Sequence, residues 1–328
     1  MAGEYTSSAE TRRGYVTYVS EKTGKVKIKE IEYAIVNGRA VFEGDIVIGT
    51  VDEIAAAEEE GQRRLRSRRV FDAVPEEPAP GMVVRGCVIV GSQYRWPNRL
   101  IPYTIDSGLP NQARVTDAIQ HWEDNTPIRF KVRDSETAYV TFISDPEGCW
   151  SYVGRQGNQQ YVGLAAGCST GNCIHEIGHA VGLWHEQSRE DRDSYVTIHW
   201  ENIEADKAHN FNQQIADGDD VGPYDYDSLM HYGRTAFSTN GDTITPPAGV
   251  TIGQRTGLST GDIQAVVYMY GTGVWYVGNR RTRELHLGHC TWVRLMSPWN
   301  KRYYWTVEDA KHSGYNGCYY CLRFWDTG

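Results

Sequence analysis

His175-Glu176-Ile177-Gly178-His179-Ala180-Val181-Gly182-Leu183-Trp184-His185 is the stretch on which the reading of this chain turns. Histidines four apart on a helix share one face, so the imidazoles of His175 and His179 can reach a single metal ion. Gly182 tolerates a positive φ and can end that helix, letting the chain turn so that His185 approaches the same ion from another side. Three neutral imidazoles leave one position of a tetrahedral zinc open to water, the arrangement of a catalytic rather than a structural site. Glu176 follows the first ligand and can reach that water without ligating the ion. Zinc brings the water's pKa toward about 7, where a carboxylate can take its proton. The bland alternative, solvated or core histidines on an ordinary helix, needs five specified positions to coincide in a chain with 10 histidines among 328 residues.

Outward from this stretch, the chain divides by texture. Residues 15–49 alternate apolar and polar around Gly24, Asn37-Gly38 and Gly44, a pattern of short strands joined by turns. Residues 52–69, DEIAAAEEEGQRRLRSRR, read as an exposed helix with acid first and base last, the order that a helix dipole prefers. VPEEPAPG at 74–81 reads as a linker. Beyond it, Val115, Ile119 and Trp122 fall on one helical face, while 128–132 and 138–143 read as strands. Ser259 with Asp262 three residues on predicts a capped helix that Gly271 stops.

Apolar residues make up 40% of the chain, ordinary for a globular protein, and no apolar run is long enough to span a bilayer. A net charge of -9 argues against general nucleic-acid affinity. The N-terminus as given has no visible signal peptide. Seven cysteines, at 87, 149, 168, 173, 290, 318 and 321, form an odd set that cannot all pair within one molecule.

The run HEIGHAVGLWHEQSREDRDSYVTI (175–198), followed by SLMHYG (228–233), resembles the astacin family of metzincin metalloendopeptidases. The likeness covers residues 87–271 and includes YRWPN (94–98), IPYTI (101–105) and CWSYVG (149–154). It implies an α/β (α+β) fold: a two-lobed catalytic domain with a twisted sheet and a zinc-site helix. It also implies a zinc-dependent endopeptidase that hydrolyses peptide bonds in proteins, with Glu176 as general base, Tyr232 as a metal-bound tyrosine that swings to the oxyanion, and Met230 as a base beneath the histidines. Glu186 matches the family's partner for the amino terminus that maturation creates, near Gly86 or Cys87. Cleavage after Arg85 would suit a trypsin-like activating protease, and Arg68-Arg69 offers another cut. The resemblance further implies a Cys149–Cys168 disulfide and secretion. The chain departs from the family at Thr126 and at 268–271, where a second disulfide would need cysteines. Cys87 and Cys173 are extra, either free or paired with each other.

Residues 272–328 differ in composition, with eight Lys/Arg against four Asp/Glu and many aromatic residues. His286-x3-Cys290 and Cys318-x2-Cys321 make a closed set for a second, structural zinc, with His289 competing with His286. The spacing is similar to small CxxC metal modules appended to bacterial nucleases and DNA-alkylation repair regulators. A Cys290–Cys318 disulfide is the alternative. The expected organisation is therefore a pro-segment (1–85), a catalytic domain (86–271) and a small Cys/His-rich module (272–328). Substrates are proteins or peptides, with neither a membrane nor nucleic acid as partner. The rival readings are a catalytically silent zinc-dependent binding protein and an adaptor acting through the tail.

One stretch of the pro-segment has two readings. In AVFEGDIV (40–47), glycine and aspartate favour a hairpin turn at Glu43-Gly44-Asp45. The same residues, Phe42-x-Gly44-Asp45, match the inhibitory motif of astacin pro-segments, which implies that Asp45 ligates the zinc in the latent form.

Overall fold

The computed structural model describes residues 10–20, 25–56, 86–89, 91–213, 218–271, 276–287, 290–304 and 307–322. Its centre is a nine-stranded sheet built from β1 (Glu10–Ser20), β2 (Lys25–Val36), β3 (Arg39–Phe42), β4 (Ile46–Thr50), β6 (Leu100–Ile105), β7 (Arg129–Val132), β8 (Tyr139–Ser144), β9 (Cys149–Tyr152) and β10 (Gln159–Leu164), in the order β1-β2-β3-β4-β9-β10-β8-β6-β7. The mixed sheet with its helices is the expected α/β architecture. The alternating pattern of residues 15–49 becomes β1–β4, with Asn37 and Gly38 forming the β2–β3 turn at φ 51 and 76. The first four strands do not stand apart, because β4 pairs in parallel with β9, Ile46 opposite Ser151 and Val47 opposite Tyr152. Residues 51–56 are helical, as the charged run predicts. The rest of that run, the expected linker and both expected cleavage points lie outside the described residues.

Alternation along the strands gives the sheet two different faces. On one, Val140, Phe142, Cys149, Val162 and Leu164 meet α1 (Ala113–Asn125) and α2 (Thr170–Val181). Val115, Ile119 and Trp122 of α1 are buried, as their spacing requires, and the Trp122 indole donates to the Ile174 carbonyl of α2 at 3.0 Å. Each such side chain contributes about 1.5–3 kcal/mol by burial, so α2 is held against α1 and the sheet over most of its length. On the other face, Ile143, Trp150 and Tyr152 are covered by Ala34, Val36, Val41 and Val47. This cover comes from the first fifty residues.

β5 (Gly86–Ile89) pairs with β12 (Gly218–Val221), and the short β11 (Thr197–Ile198) pairs with β13 (Ile244–Thr245). Helix α3 (Thr260–Tyr270) begins with the predicted capping box, Ser259 Oγ accepting from Asp262 N at 2.9 Å and Asp262 Oδ2 accepting from Ser259 N at 2.9 Å. Asp262 also accepts from Ser228 Oγ at 2.6 Å and Leu229 N at 2.9 Å, so the cap of α3 fixes the loop that carries Met230. The disulfide Cys149–Cys168 is present. The end of α3 is held by Tyr270, whose hydroxyl donates to Val181 O at 2.7 Å and whose carbonyl accepts from Arg99 Nε at 2.7 Å.

The tail forms its own four-stranded sheet, β16-β14-β15-β17, from β14 (Tyr276–Asn279), β15 (Glu284–Leu287), β16 (Lys301–Tyr304) and β17 (Asn316–Gly317). Lys301 Nζ lies 3.1 Å from Glu123 Oε2, and Glu123 Oε1 accepts from Phe130 N at 2.9 Å. This buried ion pair ties the tail to α1 and β7, at the end of the nine-stranded sheet opposite to β1. Among the described residues no helix is long and apolar enough to cross a membrane.

Candidate metal centre and active site

Helix α2 is set by Ser169, whose side chain accepts from Asn172 N, and ends at Gly182 with φ 121. The predicted turn follows: Leu183 N bonds back to Gly178 O at 2.9 Å, and His185 comes round to the face carrying His175 and His179. One donor atom from each of Asp45, His175, His179 and His185 falls within 4.8 Å of the others, and all four residues are buried. Asp45 Oδ2 is 3.3 Å from His175 Nε2, while Oδ1 is 3.2 Å from His185 Nε2 and 3.6 Å from His179 Nε2.

The far nitrogens explain why the near ones converge. His175 Nδ1 bonds to Leu229 O at 2.9 Å, His179 Nδ1 to Leu183 O at 2.8 Å and His185 Nδ1 to Glu43 Oε2 at 2.9 Å. Three acceptors thus fix three Nδ1–H tautomers and leave each Nε2 lone pair directed at the common centre. His179 Nε2 is buried with no hydrogen-bond partner, the condition of an atom placed for a cation rather than for a proton donor. The donor set of three imidazoles and a carboxylate fits zinc.

The electrostatics differ among the four residues. Burial opposes the ionised form of Asp45, yet His185 and the other two imidazoles hold its carboxyl well below the usual range. Burial, with Arg255 adding to it, brings His175 down to about 3. On His185 burial is outweighed by the Asp45 and Glu43 carboxylates, which raise it to about 9.

The other expected residues surround this centre. Glu176 is fully buried on α2, next to His175. Met230 packs under the helix at Gly178, where an added Cβ would lie 2.7 Å from its sulfur. Tyr232 is buried against His185, ring centroids 4.7 Å apart. Its hydroxyl donates to the Glu43 carbonyl. Glu186 accepts from Asp225 N at 2.8 Å and lies 3.6 Å from Arg189; burial raises its carboxyl to about 8.

The turn reading of AVFEGDIV is what forms, and the turn brings Asp45 into the histidine cluster. Glu43 and Gly44 adopt φ 48 and 78 in the β3–β4 turn. A Cβ on Gly44 would lie 2.5 Å from Phe237 Cζ and 3.3 Å from Tyr232 Oη, so glycine is required for close approach as well as for its backbone angle. The Asp45 carbonyl accepts from Ser151 N at 3.0 Å, which places the aspartate over the histidines.

Sequence reasoning missed Glu43 as a functional residue. Its target is 142 positions away, and a glutamate in a turn has a sufficient local explanation. It also left Cys87 and Cys173 open. Both are buried free thiols, so the alternative of a bond between them is excluded. The tail alternative of a Cys290–Cys318 disulfide is likewise not what forms: both are free, and with His286 and Cys321 they bring one donor atom each to within 4.8 Å of one another. Cys290 Sγ is 3.6 Å from His286 Nδ1, and Cys321 Sγ accepts from Leu287 N at 3.3 Å. His289 lies outside the described residues.

A family model described as Astacin, a peptidase family, matches residues 89–271. Protein SpAN of Strongylocentrotus purpuratus is 39% identical over 219 residues, 62% of this chain and 35% of that protein. Zinc metalloproteinase nas-13 of Caenorhabditis elegans is 39% identical over 215 residues, 63% of this chain and 48% of that one. The chain therefore spans between a third and a half of the length of these relatives. Among solved structures, high choriolytic enzyme 1, a hatching enzyme zinc-protease from Oryzias latipes, aligns at 37% identity and a TM-score of 0.49, over 60% of this chain and 97% of that one.

Proposed function

The chain belongs to the astacin family of peptidases, whose match covers more than half of its length, and on that premise we propose that it is a zinc-dependent endopeptidase held latent by its own N-terminal segment. The observation that carries the reading is the convergence of His175, His179, His185 and Asp45 donor atoms in one buried cluster. The three histidines would hold the catalytic ion, and Asp45 would complete its ligands until the pro-segment leaves. Zinc, when bound, supplies Lewis acidity toward a peptide carbonyl and lowers the pKa of water.

The chain's own residues do the rest. Glu176 takes the proton of the attacking water and returns it to the leaving amine. Tyr232, proposed as a further ligand after processing, donates to the carbonyl oxygen on which negative charge develops. Its bond to the Glu43 carbonyl supports this role, because that acceptor is of the same kind as a substrate carbonyl. Met230 keeps the floor of the histidine cluster filled. Asp45 excludes water from the position that hydrolysis needs, and its backbone on Ser151 blocks the edge of β9.

Activation by an external protease after Arg85, and secretion, belong to the same proposal. Support comes from β5, already paired with β12 from Gly86 onward, and from Arg189 Nη1, which donates to Gly86 O at 3.2 Å while lying beside Glu186. A new ammonium at Gly86 would join Arg189 as a second cation near the buried Glu186 carboxylate, whose charged form burial still disfavours. In the tail, the three thiols and one imidazole fit a closed structural zinc, which would staple a unit too small to hold a large core.

The test is hydrolysis of casein by the trypsin-processed chain, with its new N-terminus determined. Activity is expected to vanish with a chelator. Glu176→Ala should lower kcat by at least about 1,000-fold, the scale of a lost general base plus the electrostatic help it gives. Wild-type cleavage by the Glu176→Ala chain would remove the mechanism.

A further inference from the structure

Trp150 lies on the sheet face that, among the described residues, the first fifty cover, and a cation sits on it. The guanidinium carbon of Arg39 is 4.1 Å from the Trp150 ring centroid, and Arg39 Nη2 donates to Asp145 Oδ2 at 2.7 Å. The side chains are 17% and 7% exposed, so the pair is largely removed from water, where such contacts discriminate most. Arg39 belongs to β3, whereas Asp145 and Trp150 belong to β9 and the turn before it.

The acceptor site does not depend on Arg39 for its shape. Asp145 Oδ1 accepts from Glu147 N at 2.9 Å, which fixes the carboxylate from within its own turn. Trp150 is anchored by the strand, next to Ser151, whose amide holds the backbone of the latch aspartate. An extended peptide on the β9 edge places alternate side chains on the two faces of the sheet. One of those faces carries Trp150. When the pro-segment leaves, a carboxylate and an indole face are left with the geometry of a guanidinium already impressed on them.

We propose that Asp145 and Trp150 form a subsite for an arginine or lysine side chain of a peptide substrate, which Arg39 occupies in the latent chain. The proposal rests on the endopeptidase reading above. A planar guanidinium stacks on the indole while its edge still donates to the carboxylate, so arginine is preferred to lysine. A glutamate side chain is repelled by Asp145.

The experiment uses the processed chain, freed of trypsin and protected by a trypsin inhibitor, with a neutral peptide in which one glutamine at a time is replaced by arginine, lysine or glutamate. Arginine at one position, or at two neighbouring ones, is expected to raise kcat/KM about tenfold over glutamine, mostly through KM, as added ground-state binding does. In Asp145→Asn, which retains an oxygen for the Glu147 amide, the arginine-to-glutamine ratio should fall to near one. A ratio near one at every position in the wild type, or a tenfold ratio that survives Asp145→Asn, would overturn the subsite. If no peptide is cut at all, the endopeptidase reading fails separately. The same series is then scored by Kd for the processed chain, with the same two ratios deciding.

Discussion

The two four-donor clusters of this chain are built on opposite plans. In the first, three nitrogens come from α2 and the turn after it, and the oxygen comes from Asp45, on a hairpin 130 residues from His175. In the second, His286, Cys290, Cys318 and Cys321 all belong to the tail. The histidines differ too. The first cluster presents Nε2 inward, each Nδ1 being held by a carbonyl or by Glu43, whereas His286 has Nδ1 toward Cys290 and its Nε2 4.0 Å from the half-exposed Glu284. A site whose fourth donor can be carried away is suited to be opened. One that draws every donor from its own small unit is suited to stay closed.

Breaking the closed cluster is expected to give the largest effect. Cys318→Ser should lower the zinc content of the full chain by one equivalent, measured by atomic absorption. The tail should become sensitive to proteases, since metal binding in such a module contributes several kcal/mol or more to its folding. Peptide hydrolysis by the processed chain, measured alongside, tests independence. If it fell more than about tenfold, the Lys301–Glu123 bridge would be coupling the tail to the active site and the contrast would fail.

The open cluster is expected to respond in function rather than in folding. Asp45→Ala should raise hydrolysis by the uncut chain on the order of 100-fold, equivalent to about 2.7 kcal/mol of lost latching. Hydrolysis that stayed at the level of the uncut wild type would mean that β1–β4 block the cleft by bulk alone. Bulk of that kind is present, since the first fifty residues also pack Val41 and Val47 against Trp150 and Tyr152.

What could be read from the sequence follows from how local each feature is. His175, His179 and His185 lie within one helix and turn, so spacing alone brings them together. The Ser259–Asp262 cap and the spacing of the tail donors are equally local. Asp45 has no local signal that separates it from an ordinary turn, and only the resemblance pointed to it. The pairing of β4 with β9, the reach of Glu43 to His185 and the bridge from Lys301 to Glu123 were not legible. Each depends on chain segments that are far apart in sequence and meet only when the sheet closes its order. A lone glutamate or lysine gives no sign of such a partner, since both are ordinary surface residues by type.

Glu43 gives the finest test of the contrast, because it supports the open cluster without contributing a donor to its centre. Its carboxylate accepts from His185 Nδ1 and its carbonyl accepts from Tyr232, so one residue occupies two groups of the proposed machinery. Glutamine at 43 retains the carbonyl contact, tolerates the turn about as glutamate does and keeps an acceptor near His185, while removing the charge. A charge-assisted hydrogen bond exchanged for a neutral one loses about 1 kcal/mol. Glu43→Gln should therefore raise hydrolysis by the uncut chain roughly fivefold, well short of the effect of Asp45→Ala. An effect equal to that of Asp45→Ala would show that latency depends on a pair of carboxylates acting together. An effect near zero would assign the hold on Tyr232 to the backbone carbonyl alone, leaving Asp45 as the sole charged element of the latch.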